Sequence, residues 1–361
     1  MKKSLIALAV LAASGAAMAQ SSVTLYGVVD EGVTYVNGKQ NWTGLTSGNQ
    51  LTSRLGVRGS EDLGGGLKAN FRLEGGINAD TGNGKVSGAS GNGFEFKRQS
   101  TVGLEGGFGE VRLGRELTAA YNAVARYDPF GSVGLANSRL WADGGLPADN
   151  TNVPVNGAKT TNQRVSNAVT YVTPNFSGFK AGLNYGFGEV PGHQSDSRYI
   201  GGGLMYDNGP ISVGLSGETL KSGANTRATG NINAWSLGGS YDFGVAKVLA
   251  GYRQSKAKNF YANGNDNKRE GYMLAVTAPV GPGLVKVAYN HYEDKGGATT
   301  AKADQLGLGY VYSLSKRTSL YGTYAYLKNK NNGNTFSLSG DTAVKDNGKQ
   351  QGLQVGITHT F

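Results

Sequence analysis

FKAGLNYGF, residues 179–187, decides how this chain reads. Phe179, Ala181, Leu183, Tyr185 and Phe187 fall on one side of an extended segment, and Lys180, Gly182, Asn184 and Gly186 on the other. The same two-residue period returns in WSLGGSYDF (235–243), where Trp235, Leu237, Tyr241 and Phe243 oppose Ser236, Gly238, Ser240 and Asp242. QLGLGYVY (305–312) and the terminal LQVGITHTF (353–361) repeat it. Outward from these, strands are expected near 23–36, 52–60, 66–79, 93–106, 110–117, 164–173, 179–187 and 198–206. More are expected near 211–220, 233–243, 246–255, 270–280, 284–293, 303–314, 318–328 and 350–361. No segment carries a helical period, and none reaches the roughly 18 consecutive apolar residues of a membrane helix.

Composition limits what the apolar face can touch. Only 38% of the chain is hydrophobic, 59 of its 361 residues are glycine and none is cysteine. That is poor material for a soluble α/β core, and no disulfide framework can replace one. It suits glycine-punctuated strands whose two faces meet different solvents. Hydrocarbon offers the backbone no hydrogen-bond partner, so such a sheet must close on itself. An antiparallel transmembrane barrel of about 16 strands follows, its interior too wide for side chains to fill and therefore wet.

The connectors sort by length. Glu61–Gly66, Gly106–Gly109, Pro174–Gly178, Asp207–Pro210, Gly281–Gly283 and Ser315–Arg317 are short and made of turn residues. Those near 37–51, 81–92, 118–163, 188–197, 221–232, 256–269, 294–302 and 329–349 are longer and polar. Alternation of tight turns with long loops is the mark of a barrel with periplasmic and external ends. Tyrosines gather near strand ends (Tyr26, Tyr35, Tyr171, Tyr206, Tyr252, Tyr272, Tyr292, Tyr312, Tyr326), where an amphipathic ring suits the lipid–water boundary. Residues 118–163, about 46 without a sustained period, are too long for an idle loop; they are expected to fold into the mouth and narrow it.

The opening MKKSLIALAVLAASGAAMAQ has a basic n-region, an apolar run and the small-x-small site Ala17-Met18-Ala19. Residues 1–19 are expected to be a signal peptide and 20–361 the barrel, multi-pass in the bacterial cell outer membrane. Removing Lys2 and Lys3 takes the formal charge from +10 to +8. No block of consecutive basic residues points to nucleic acid, and the single spread charges favour small anionic solutes.

SSVTLYGVVDEGVTYV, SRLGVRGSEDLGGGLKANFRLEGG, the pair GFGEVRLGRE and RVSNAVTYVTPNFSGF, and the ending LQVGITHTF together resemble the general porins of Gram-negative bacteria, in particular the trimeric porins of the β-proteobacteria. The resemblance covers essentially the whole chain after the leader. It implies a homotrimer of barrels, a second external loop (about 81–92) reaching over a neighbouring subunit, and a third (117–163) forming the constriction. It also implies that the outer-membrane assembly machinery reads Phe361. Outer-membrane lipids and lipopolysaccharide are the expected surroundings.

By the same resemblance a ladder of arginines faces the third loop, matched here by Arg54, Arg98 and Arg164, with Asp128 of Asp128-Pro129-Phe130-Gly131 the acid at the constriction. Alternation tests this independently. Leu55 and Val57 face lipid, so Arg54 and Arg58 face the lumen; Val165, Val169 and Tyr171 place Arg164 there too. Arg98 shares parity with Val102 and Leu104, and reaches the lumen only through a bulge near Gln99–Thr101. Val28 occupies a first-strand position that is basic in many porins, and Asp30 follows on the same face. Asp30, Arg72, Lys68, Lys180, Lys247, Arg253 and Lys286 are also lumen-facing by parity. Guanidinium groups keep their charge at any working pH and compensate an anion for lost hydration.

The expected function is a water-filled, anion-preferring channel for passive diffusion of small hydrophilic solutes and ions. A substrate-selective anion channel, for phosphate or organic acids, and a structural or adhesive surface barrel are the alternatives. His193, His291 and His359 sit in no hydrolase motif, so no enzyme, catalytic residue, metal or cofactor is expected.

Overall fold

The computed structural model describes residues 22–84, 93–142, 163–221, 231–259, 265–296, 300–330, 336–345 and 348–361. The expected leader, and residues 85–92 and 143–162 of the expected second and third external loops, lie outside them. The strands run β1 (Ser22–Asn37), β2 (Asn41–Ser47), β3 (Arg54–Gly64), β4 (Leu67–Asn78), β5 (Asn83–Gly84), β6 (Gln99–Gly106), β7 (Gly109–Leu117), β8 (Arg164–Val172) and β9 (Phe179–Gly186). They continue as β10 (Tyr199–Asn208), β11 (Ile211–Leu220), β12 (Ile232–Asp242), β13 (Lys247–Ala257), β14 (Asn267–Val280), β15 (Gly283–Lys295), β16 (Ala301–Ser313), β17 (Thr318–Lys330) and β18 (Lys349–Thr360). β2 and β3 pair with the two ends of β1 and form one interrupted stave, and β5 is a stub on β4, so the wall has sixteen staves. The sheet closes where β1 meets β18, from Val28 opposite Thr360 to Asn37 opposite Gln351. Gly27 and Phe361 exchange both backbone hydrogen bonds at 3.1 Å and finish the seam.

Side chains are placed inside out relative to a water-soluble protein. Leu215, Leu237, Leu274, Leu308 and Val355 stand exposed on the outer face, while Ser216, Ser236, Gln305 and Gln354 are buried on the inner. An apolar belt with no protein cover is stable only against hydrocarbon. Two of the tyrosines assigned to that belt belong to the interior. Tyr26 alternates with exposed Val23 and Leu25 and bonds inward to Glu74, and Tyr292 is buried beneath the third loop.

Two further expectations are corrected. The polar connector 37–51 is mostly strand: β2 pairs with β1 from Asn41 to Ser47. Residues 93–98 lie off the ladder, and β6 begins only at Gln99.

The third loop leaves β7 through Thr118, whose hydroxyl caps the helix α1 (Ala119–Val124) by accepting from the Tyr121 amide. A 3-10 turn (Ala125–Tyr127) and a short α2 (Arg139–Ala142) follow. This segment runs along the inner wall on a track of glycines contributed by successive strands. A Cβ at Gly203 would lie 2.5 Å from Ala123, at Gly238 2.3 Å from the Tyr127 ring, at Gly251 2.7 Å from Trp141 and at Gly309 2.8 Å from Phe130. The glycines supply the depth in which the loop's apolar side chains are buried. Residues 336–345 fold inward as well: Phe336 stacks on Tyr292 with ring centroids 5.5 Å apart, and Ser337 accepts from Arg139. One side of the interior is therefore a dry cluster of Tyr127, Phe130, Leu140, Trp141 and Phe336.

Candidate functional site

The opposite inner wall carries arginine. Arg54 opens β3 between Val28 of β1 and Gly76 of β4, neither of which offers a side-chain acceptor. Arg98 reaches the interior because the chain turns just before β6: the Lys97 amide bonds back to Glu95 O at 2.8 Å, and Arg98 N donates to Glu74 O at 3.0 Å. No bulge interrupts residues 99–101; their register with β4 and β7 is continuous. The bulge of this region is on β8: between the pairs Gly114–Ala168 and Glu116–Val165, one residue of β7 faces two of β8, Ser166 and Asn167, and Asn167 has φ +51°. Gly114 has φ +125° and lies so close to Ser100 O that no Cβ fits. Arg115 is the β7 residue opposite that bulge, and Val165, expected to face lipid, is buried instead with Tyr199 and Leu220 because the bulge separates it from Val169 and Tyr171. Arg115 Nε donates to Lys97 O at 2.6 Å and its Nη1 to Ser166 Oγ at 2.7 Å. Arg164 Nε donates to Arg98 O at 2.8 Å.

Arg54, Arg98 and Arg164 thus converge, with Arg98 close enough to repel both Arg54 and Arg164, and Arg115 lies near Arg164. Arg115 and Arg164 are aimed by neutral carbonyl and hydroxyl oxygens, which orient a guanidinium without cancelling its charge. Glu74 is the carboxylate among them. Its Oε1 accepts from Arg98 Nε at 2.7 Å, and its Oε2 from Arg72 Nη2 at 2.8 Å and Tyr26 Oη at 2.9 Å. Arg58 and Arg72 stand directly opposite each other, an unfavourable pairing in itself. The Tyr26 ring separates them, 5.3 Å from one guanidinium carbon and 5.2 Å from the other. Arg58, Arg72 and Arg112 line a basin of about 400 Å³ that also takes in Thr24, Asn70 and Thr101. Lys68 faces the same way, exposed.

Two acids do not lie where expected. Asp128 is buried: its Oδ1 accepts from Phe130 N at 2.9 Å, and its Oδ2 from Ser132 N at 3.0 Å and Ser138 N at 2.8 Å. Burial raises its carboxyl above the usual range, and the three amides pull against that. It organises the loop instead of facing water. The loop residue near Arg98 and Arg164 is Tyr121, whose phenol burial pushes upward in pKa. Asp30 points inward but is fully buried, gripped by the amides of Asn49, Gln50 and Leu51 and the hydroxyls of Tyr321 and Thr358. Asp128→Asn is therefore expected to leave ion selectivity unchanged and to make residues 118–142 more protease-sensitive. Loss of charge-assisted bonds of about 1.5–3 kcal/mol is the reason. A selectivity change in bilayer recordings would place Asp128 in the pore after all.

Sequence reasoning missed Glu74, Arg115 and Tyr121. Glu74 was readable, sharing its face with Arg72 in FRLEGG. Arg115 was not, because it shares parity with exposed Leu113 and its partners, Lys97 O and Ser166 Oγ, come from a turn and a bulge in neighbouring segments.

A family model described as Gram-negative porin matches residues 5–332. The outer membrane porin protein 32 of Delftia acidovorans is 47% identical over 376 residues, covering 100% of both chains. An outer membrane porin protein of Bordetella pertussis is 34% identical over 421 residues, again with 100% of both covered. The solved structure of an anion-selective porin from Comamonas acidovorans superposes with a TM-score of 0.82 at 43% identity, covering 95% of this chain and 100% of that one. With its closed antiparallel barrel, apolar belt and charged interior, this chain belongs to the Gram-negative porin family, channels of the outer membrane and not enzymes.

Proposed function

We propose that this porin conducts small hydrophilic anions passively, with Arg54, Arg98 and Arg164 at the constriction and residues 118–163 narrowing the lumen. The observation that carries the reading is the clustering of Arg54, Arg98 and Arg164 beside Glu74. An ion squeezed beside these guanidiniums exchanges hydration for fixed positive charge, and low-dielectric walls concentrate that field. The similar porin described as anion-selective supports the sign. Purified protein in a planar bilayer under a salt gradient is expected to show a reversal potential of anion sign; a cation sign overturns the proposal.

The working unit is a homotrimer assembled after cleavage near Ala19/Gln20, with residues 81–92 reaching a neighbour. Phe361 serves as the assembly signal. Its side chain is exposed on the outer face, and its backbone completes the β1–β18 seam. Deleting Phe361 is expected to lower the yield of trimer in outer-membrane fractions by much more than it lowers the yield refolded from detergent. An equal loss in both would reduce its role to closing the seam.

A further inference from the structure

Tyr26 bonds across a neighbouring strand. It pairs in register with Gly56 of β3, and Gly56 with Glu74 of β4. The ring lies over Gly56, where a Cβ would come within 2.5 Å of the phenol Cζ, and its hydroxyl reaches Glu74 on the far side. An aromatic ring laid across a glycine covers the gap left by the missing side chain. Arg54 and Arg58 flank that glycine on β3, two residues to either side. The ring is therefore a bar between the constriction row that begins with Arg54 and a second row of Thr24, Arg58, Arg72 and Thr101, nearer the tight turn between β3 and β4.

The two arginines of that second row are held differently. Arg72 directs its donors at the bar: Nε at Tyr26 Oη, 2.7 Å away, and Nη2 at Glu74 Oε2, 2.8 Å away. Arg58 makes no hydrogen bond or ion pair with another described residue. Its contact is the Tyr26 ring, 5.3 Å from guanidinium carbon to centroid, and its side chain is exposed to the basin. A ring face attracts and orients a guanidinium without occupying an N–H, so every donor of Arg58 is left for an anion. Arg58 stands about 13 Å from Arg54 along the strand. That is more than one screening length of about 8 Å, so an anion leaving the constriction passes out of reach of Arg54 before it meets the next free charge. We propose that Arg58 is a specificity-determining residue for anion passage on the tight-turn side of the constriction, and that Tyr26 is its positioning residue, acting through the ring. This rests on the anion channel of the proposed function and adds a second station to it.

Single-channel chloride conductance in planar bilayers tests it, measured at low salt and again at about 1 M, where the screening length shrinks to about 3 Å. Arg58→Gln should lower the low-salt conductance about threefold, the effect of one charge about 6 Å from the ion, and change it little at the higher salt. Tyr26→Leu leaves that charge but not its place, and should lower the low-salt conductance about twofold. Tyr26→Phe, which loses both hydroxyl bonds and keeps the ring, should fall clearly less than Tyr26→Leu. In an Arg58→Gln background Tyr26→Leu should have little further effect, because the ring then has no guanidinium to place. A ring that only props the wall would lower conductance equally in both backgrounds and at both salts, and that result overturns the proposal. Equal losses from Tyr26→Phe and Tyr26→Leu overturn it too, assigning the effect to the hydroxyl and Glu74. So does wild-type low-salt conductance in Arg58→Gln. The reversal potential keeps the two readings apart. A cation sign in the wild type overturns the proposed function itself, whereas an anion sign with no difference between the Phe and Leu variants overturns only the role of Tyr26.

Discussion

Exchanging Arg54, Arg98 and Arg164 together for glutamine should abolish anion preference while leaving an open channel. A unit charge about 6 Å from a passing ion is worth about 0.7 kcal/mol even at the dielectric constant of water, roughly threefold in relative permeability. Three such charges give ~30-fold before salt screening, whose length is about 8 Å under physiological conditions. The anion-to-cation permeability ratio should fall by about one order of magnitude, most at low salt. Glu74→Gln should move it the other way, because it releases Arg98 and Arg72 from their carboxylate partner. A triple variant that keeps the wild-type reversal potential would show that the wall arginines do not set selectivity.

Gly238→Val should widen the pore without opening the barrel. Its Cβ would lie 2.3 Å from the Tyr127 ring, whose hydroxyl meets Ser212 Oγ at 3.0 Å. Overpacking of this kind costs about 1–3 kcal/mol, and displacing the loop relieves it more readily than distorting a paired strand. Larger and noisier single-channel currents are expected, with the barrel's heat resistance in detergent nearly intact. Tyr127→Ala combined with Gly238→Ala should disturb conductance less than the sum of the two single changes, since the added methyl enters vacated space. Strict additivity would mean that the two positions do not meet.

Alternation exposed the wall because each strand spans a boundary between two solvents, so Leu237 and Ser236 were legible one residue apart. Where both faces meet water or protein that signal vanishes. β2, NWTGLTS, places Trp42 inward and Leu45 outward beyond the apolar belt and offers no repeating stripe. Arg54 was legible for the same reason as the strands, whereas the alternation used for Arg164 ran through Val165, which is buried beyond a bulge. Arg98 was hidden by a turn before β6, and the β8 bulge resets parity between Val165 and Ala168. Asp128 and Asp30 show a different limit. Their inward direction could be read or argued, but whether an inward group ends in water or beneath a folded-in loop depends on contacts distant in sequence. The glycine track is another such case: Gly203, Gly238 and Gly251 look like ordinary strand punctuation until the loop that fills them is in place.

Asp30 also bears on the order of events in folding. Its carboxylate is dehydrated only when donors from the first hairpin and from both final strands surround it, and Thr358 is 328 positions away along the chain. Contacts of such separation form late. Until the last strand arrives, this anion stays in water and disfavours any partial sheet that would bury it, so a half-built wall has reason to wait for its own end.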